Sequence, residues 1–156
     1  MSHSDAPSYG KVTVNPDWKI VIIRSIWYPD LTDALSQSAK KRLIDAGISE
    51  GNIALIDAPG SFEIPLLAQS VLDDADGVIA FGIIVQGATH HAAMVANQSA
   101  AGCMQVQLAM GKPITYEVLF VDSLDDAKSR SIGPNSKGPI AADTLLSQLA
   151  GLAELR

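Results

Sequence analysis

Residues 77–91 read GVIAFGIIVQGATHH, and this stretch decides the fold. Its first nine residues form one apolar run rich in β-branched side chains, which predicts a buried strand. The run stops at Gln86-Gly87-Ala88-Thr89. A long helical pattern then fills residues 91–110 and is closed by Gly111 and Pro113. Strand, short loop and long helix in that order are the unit from which parallel sheets are built.

The same alternation extends in both directions. Residues 19–26 (KIVIIRSI) predict a strand, and residues 31–46 a helix with Leu35, Ala39, Leu43 and Ala46 on one face, stopped by Gly47. A strand over 53–58 ends at Pro59-Gly60, and Ile64, Leu67, Ala68 and Val71 follow at helical spacing. Beyond the central stretch come a strand over 114–121 and a short helix over 123–131, with Ser123 as its cap. After the Gly/Pro/Asn/Ser stretch 133–139, Leu145, Leu146, Leu149 and Leu152 mark a last helix. Strict alternation predicts a three-layer α/β sandwich, flavodoxin-like in order, around a central mostly parallel four-stranded sheet. Residues 18–156 are expected to form that single domain. Residues 1–17 are polar, contain Pro7 and Pro16, and read as a flexible arm in which KVTV (11–14) is a strand candidate.

Composition narrows the function. The chain has 156 residues, of which 47% are apolar and 18% charged, so a real core is expected. The net charge of -6 argues against nucleic acid as a partner, because phosphate-backbone binding needs a basic surface. A single cysteine, Cys103, excludes a disulfide framework or a cysteine-rich zinc module. No apolar run reaches the ~18 residues of a membrane span, and no signal peptide is read at the N-terminus. The expectation is a soluble, cytoplasmic protein.

In open α/β sheets ligands bind at the carboxyl ends of the strands. Those ends deliver Trp27-Tyr28-Pro29-Asp30, then Pro59-Gly60-Ser61-Phe62-Glu63, then Gln86 to His91. Gly87-Ala88-Thr89, at the start of the longest helix, reads either as an anion site or as an ordinary turn capped by Thr89. His90 and His91 carry the side chain best suited to proton transfer near neutrality, yet adjacent helical residues diverge by about 100°, so only one can face a pocket well. Their spacing is poor for a metal, and a surface or capping role is the plain alternative. Glu63 is read in the first turn of its helix, where the dipole alone justifies a carboxylate. Trp27 reads as the wall for a flat heterocycle or as an edge-of-core aromatic, and Cys103 as inert packing.

PGSFEIP (59–65) followed by GIIVQGATHHAAMVANQSAAG (82–102) resembles lumazine synthase, and the likeness runs over roughly residues 18–150. The resemblance implies condensation of 5-amino-6-(D-ribitylamino)uracil with 3,4-dihydroxy-2-butanone 4-phosphate, without metal or cofactor. It places Trp27 on the pyrimidine ring, Ser61 and Glu63 on the ribityl chain with Phe62 a further substrate-binding residue, and Gly87, Ala88 and Thr89 on the phosphate. It makes His91 the proton-transfer residue. It also matches Tyr116, Arg130 and Lys137 to substrate-binding positions, the first two supplied by a neighbouring subunit. A homopentamer with shared active sites is implied, with a decamer or a sixty-subunit shell as further possibilities.

The chain departs from the family pattern at named positions. Gln86 stands where Arg or Lys is usual, and Ala92-Ala93-Met94 replaces an aromatic–acid–aromatic triplet. The GPNSKG turn (133–138) is shorter than usual. Gln86 and Ala93 favour an alternative reading, a weak paralogue that binds flavin or lumazine or builds a shell. A generic nucleotide-binding module would explain the fold but not PGSFEIP.

Overall fold

The computed structural model describes residues 7–156. Four strands, β1 (Ile20–Ser25), β2 (Ile53–Ala58), β3 (Gly77–Val85) and β4 (Ile114–Val121), lie in the order β2-β1-β3-β4, and all pair in parallel. Five helices complete the three layers: α1 (Pro29–Asp45), α2 (Ile64–Val71), α3 (His91–Met110), α4 (Leu124–Ser131) and α5 (Lys137–Leu155). The sheet is thus wholly parallel, and its order is the flavodoxin-like one.

Each face of the sheet has its own core. Leu35, Leu43, Ile79, Phe81, Leu145 and Leu146 pack the layer under α1, α4 and α5. Ile23, Ile64, Ala68, Leu72, Ala80 and Val118 pack the layer under α2 and α3. The β3 run is central because both layers bury it: Gly77 to Ile83 are all buried. Its glycines serve the packing, since a Cβ at Gly77 would come within 2.9 Å of Leu145.

Local chemistry sets the helix ends. Ser123 Oγ accepts from the Asp126 N–H at 3.1 Å, and Gly111 closes α3 in the left-handed region at φ 64°. Two boundaries differ from the sequence expectation. α5 begins at Lys137, inside the turn-rich stretch, because Ser136 Oγ caps the Gly138 N–H at 3.2 Å and Pro139 falls in the first turn, where a missing N–H is no loss. Glu63 ends a 3-10 turn, Ser61–Glu63, rather than lying in the first turn of α2. Pro65 has no N–H for the Ser61 carbonyl, which takes the Ile64 N–H instead and tightens the chain.

The chain before β1 carries no helix or strand within its described part. Val12 and Val14 pack against the α1/α5 core, and Tyr9 Oη shares a 2.9 Å hydrogen bond with Thr144 Oγ1. KVTV pairs with no strand among the described residues. The part of the expected arm formed by residues 1–6 lies outside the described residues.

Candidate active site

The chain runs from β1 outward to β2 and then returns across β1 to β3, so the sheet's switch point lies between the carboxyl ends of β1 and β3. A cleft of about 690 Å³ opens there. Trp27, Tyr28, Phe62, Met94 and Val95 form apolar walls, and Ser25, Ser61, Glu63 and His91 supply the polar groups. Few polar groups in a mostly apolar recess is the composition of a small-molecule site.

The turn from β1 into α1 uses three residues, Ile26, Trp27 and Tyr28. The Ile26 N–H donates to Ala58 O at 3.0 Å, and the Trp27 N–H donates to Ser25 Oγ at 3.2 Å. The Trp27 indole Nε1 donates to Pro59 O at 3.1 Å, which stands the ring beside the cleft although it is 63% exposed. Tyr28 is the only described non-glycine residue at positive φ (57°), and its carbonyl accepts the Leu31 and Thr32 N–H groups that start α1. Such a conformation is strained for a bulky side chain and persists only where the surroundings enforce it.

Gly60 joins this corner. A Cβ there would lie 2.8 Å from Glu63 Oε2 and 3.6 Å from Trp27 Nε1, so the missing side chain lets carboxylate and indole face one space. Ser61 is buried, and a Cβ on Gly82 of β3 would collide with its Oγ. Gly82 therefore gives Ser61 its place against the sheet.

At the third strand end, the Gln86 N–H donates to Val121 O at 2.8 Å and its side-chain Nε2 donates to Gly87 O at 3.3 Å. Gly87, Ala88 and Thr89 form an exposed loop between Val85 and His91, both of which line the cleft. Thr89 does not cap α3 as an N-cap residue would: His90 holds that position, and Thr89 Oγ1 accepts the His91 N–H at 3.4 Å. Of the two histidines, His91 lines the cleft and His90 does not.

Gly87, Ala88 and Thr89 flank the cleft without lining it, and three more sequence-predicted residues belong to other elements. Tyr116, on β4, turns its phenol onto α3, sharing a 2.5 Å hydrogen bond with Ser99 Oγ and lying 3.2 Å from Ala96 O. Burial pushes that phenol above its ordinary range, partly opposed by Ser99. Arg130 is exposed in the last turn of α4. Lys137 opens α5 near Glu117, whose carboxyl burial pushes up to about 7 while Lys137 pulls it down. Cys103 is buried in α3, and burial raises its thiol to about 11, so it is neither exposed nor ionised.

Ser25 and Val95 line the cleft without having been singled out from sequence, while Tyr28 was read only as part of a strand end and Met94 only as a departure from the family pattern. Ser25 is the last residue of β1 and stands one before the end of the predicted strand, and that position was the available signal. Met94 and Val95 stand one turn into α3, above His91, and carry no motif. Among the described residues no group of three His, Cys, Asp or Glu converges on a metal position. None of the described helices is long and apolar enough to cross a membrane.

Fold and cleft together define an α/β protein with a small-molecule site at the topological switch point of a parallel sheet. The chain belongs to the 6,7-dimethyl-8-ribityllumazine synthase family, whose family model matches residues 17–152. Two proteins named 6,7-dimethyl-8-ribityllumazine synthase, from Xanthomonas campestris pv. campestris strains B100 and 8004, are each 38% identical to it over 140 residues. Each match covers 88% of this chain and 90% of the relative. Among solved structures, a de novo designed Rossmann fold protein aligns over 70% of this chain and 90% of its own, at 22% identity and a TM-score of 0.42.

Proposed function

We propose that the protein condenses 5-amino-6-(D-ribitylamino)uracil with 3,4-dihydroxy-2-butanone 4-phosphate, giving 6,7-dimethyl-8-ribityllumazine, phosphate and water. The observation that carries this reading is the convergence of Trp27, Glu63 and His91 on one cleft, from three separate strand ends. The indole offers a flat wall for the pyrimidine. Ser61, Phe62 and Glu63 frame the ribityl chain, the carboxylate accepting hydrogen bonds from its hydroxyls. Gly87, Ala88 and Thr89 hold the phosphate through backbone and hydroxyl donors at the rim. His91 then stands between the two substrates and moves protons during imine formation, phosphate loss and ring closure. Positioning supplies most of the acceleration, and proton transfer typically adds 10²–10⁴-fold.

The rest of the site comes from a second copy of the chain. Tyr116, Arg130 and Lys137 lie outside the cleft of their own subunit, which fits a homopentamer whose sites are shared between neighbours, alone or built into a decamer or a sixty-subunit shell. Arg130 from the neighbour pairs with the substrate phosphate and replaces part of the charge absent at Gln86. The reaction needs no metal or cofactor in this reading, and the enzyme works in the cytoplasm.

The test is a direct assay with both substrates, following the product's absorbance and fluorescence beside a His91→Ala variant. Product formation whose kcat falls by about 10²–10⁴ in the variant supports the reading. No product above the uncatalysed background from assembled wild-type protein overturns it.

A further inference from the structure

Three elements meet behind the Trp27 turn, and one side chain touches all of them. Arg24 is the fifth residue of β1. By strand alternation it points away from Ser25, which lines the cleft, and passes to the α1 side of the sheet. Its Nε donates to Asp57 Oδ1 on β2 at 2.9 Å, and its Nη1 donates to Asp33 Oδ1 on α1 at 2.6 Å. Asp57 is also its register partner in the sheet and stands two residues before Pro59, whose carbonyl holds the Trp27 indole.

Backbone hydrogen bonds tie the turn to the strand ends, and one bond, from Nε1 to the Pro59 carbonyl, holds the indole itself. Trp27 is 63% exposed, so packing fixes the ring only weakly, and Tyr28 is held in a strained left-handed conformation. An exposed ion pair alone contributes little. Arg24 differs because one planar fork engages two carboxylates on two different elements, a geometry that lysine cannot reproduce.

We infer that Arg24 is a positioning residue: its grip on Asp33 and Asp57 keeps β1, β2 and α1 in the arrangement that closes the Trp27-Tyr28 turn and aims the indole across the cleft. The inference rests on the reading of Trp27 as the wall for the pyrimidine substrate. Loosening the fork lets the indole swing, which weakens binding of the heterocycle and leaves the phosphorylated ketone and the proton transfers alone.

The experiment uses the full-length protein carrying Trp18→Phe, so that Trp27 is its only indole, and adds Arg24→Gln, Arg24→Lys or Lys41→Gln. The last removes the 2.7 Å Lys41–Asp45 ion pair elsewhere on α1 and serves as control. Arg24→Gln is expected to raise acrylamide quenching of Trp27 about twofold and KM for the ribitylaminouracil about 5–10-fold, with kcat and KM for the ketone within about twofold. Arg24→Lys recovers only part of this, and Lys41→Gln changes neither quantity. A lowered Tm with unchanged quenching and unchanged KM overturns the inference, leaving Arg24 a structural residue. Should Arg24→Gln not fold, Asp33→Asn and Asp57→Asn each remove one arm and carry the same comparison. Quenching needs no substrate, so it decides the role of Arg24 even if the wild type makes no product and the functional reading fails.

Discussion

The corner around Trp27 and the outer strand β4 handle their candidate residues in opposite ways. At the corner, Trp27, Gly60, Ser61 and Glu63 converge within one chain, held by hydrogen bonds to neighbouring strand ends. On and beyond β4, Tyr116, Arg130 and Lys137 all lie outside the cleft, and Tyr116 spends its hydroxyl on α3 of its own subunit. The difference teaches that one chain gathers an indole, a carboxylate and an imidazole in a single recess, while the cationic residues of the proposed phosphate site lie outside it. The proposed sharing of sites between subunits would bring the two halves together.

The sharpest way to break that contrast is Arg130→Ala. On the proposed pairing of Arg130 with the substrate phosphate, it is expected to lower kcat/KM by about 10²–10³-fold. Mixing the Arg130→Ala chain with the His91→Ala chain should restore a substantial part of the rate, since some sites then combine an intact His91 with a neighbour's intact Arg130. Steady-state assays on reassembled mixtures check this, and a mixture as inactive as its components would place both residues in one subunit.

Trp27→Ala sharpens the other half. Removing the stacking wall should raise KM for the pyrimidine substrate about tenfold, in line with 1–3 kcal/mol per stacked base, with kcat within a few fold. The KM for the ketone is the internal control. A change confined to the ketone would assign Trp27 to the wrong substrate.

Glu117, on the β4 side, gives the smallest effect and one read in stability. Its carboxyl rises from an ordinary 4.5 to about 7, chiefly through burial, so folding favours the protonated form. That contribution is full below pH 4.5, declines as pH rises, and is gone above about 7. The wild type should therefore lose about 1–3 kcal/mol more stability between pH 4.5 and 8 than Glu117→Gln does, measured by denaturant titration at each pH. Parallel pH profiles would show that the carboxyl is solvated.

These contrasts bear on what could be read in the chain before folding. Element order and the parallel sheet were legible because apolar runs of β-branched residues and helical spacings alternate from β1 through α4, with only α5 following another helix directly. The strand-end residues Trp27, Glu63 and His91 were legible because topology sends every strand's carboxyl end to the same side. Boundaries decided by a single hydrogen bond were not, as at Pro65, where a missing N–H shifts Glu63 into a 3-10 turn. Nor was the left-handed Tyr28, since tyrosine carries no propensity for that region. The grip of Arg24 on Asp33 and Asp57 joins residues 9 and 33 positions apart, a separation that no local pattern encodes.

The floor of the cleft is shaped by an atom that is not there. Because Ser61 occupies the volume a Cβ on Gly82 would need, those two positions form one steric unit joining the second strand's loop to the middle of the third strand. Position 82 can gain a side chain only if Ser61 gives way, and Ser61 keeps its place only while position 82 stays glycine. Any drift or redesign of the Ser61 end of this recess has to reckon with both residues, and the depth of the cleft is inherited as a pair.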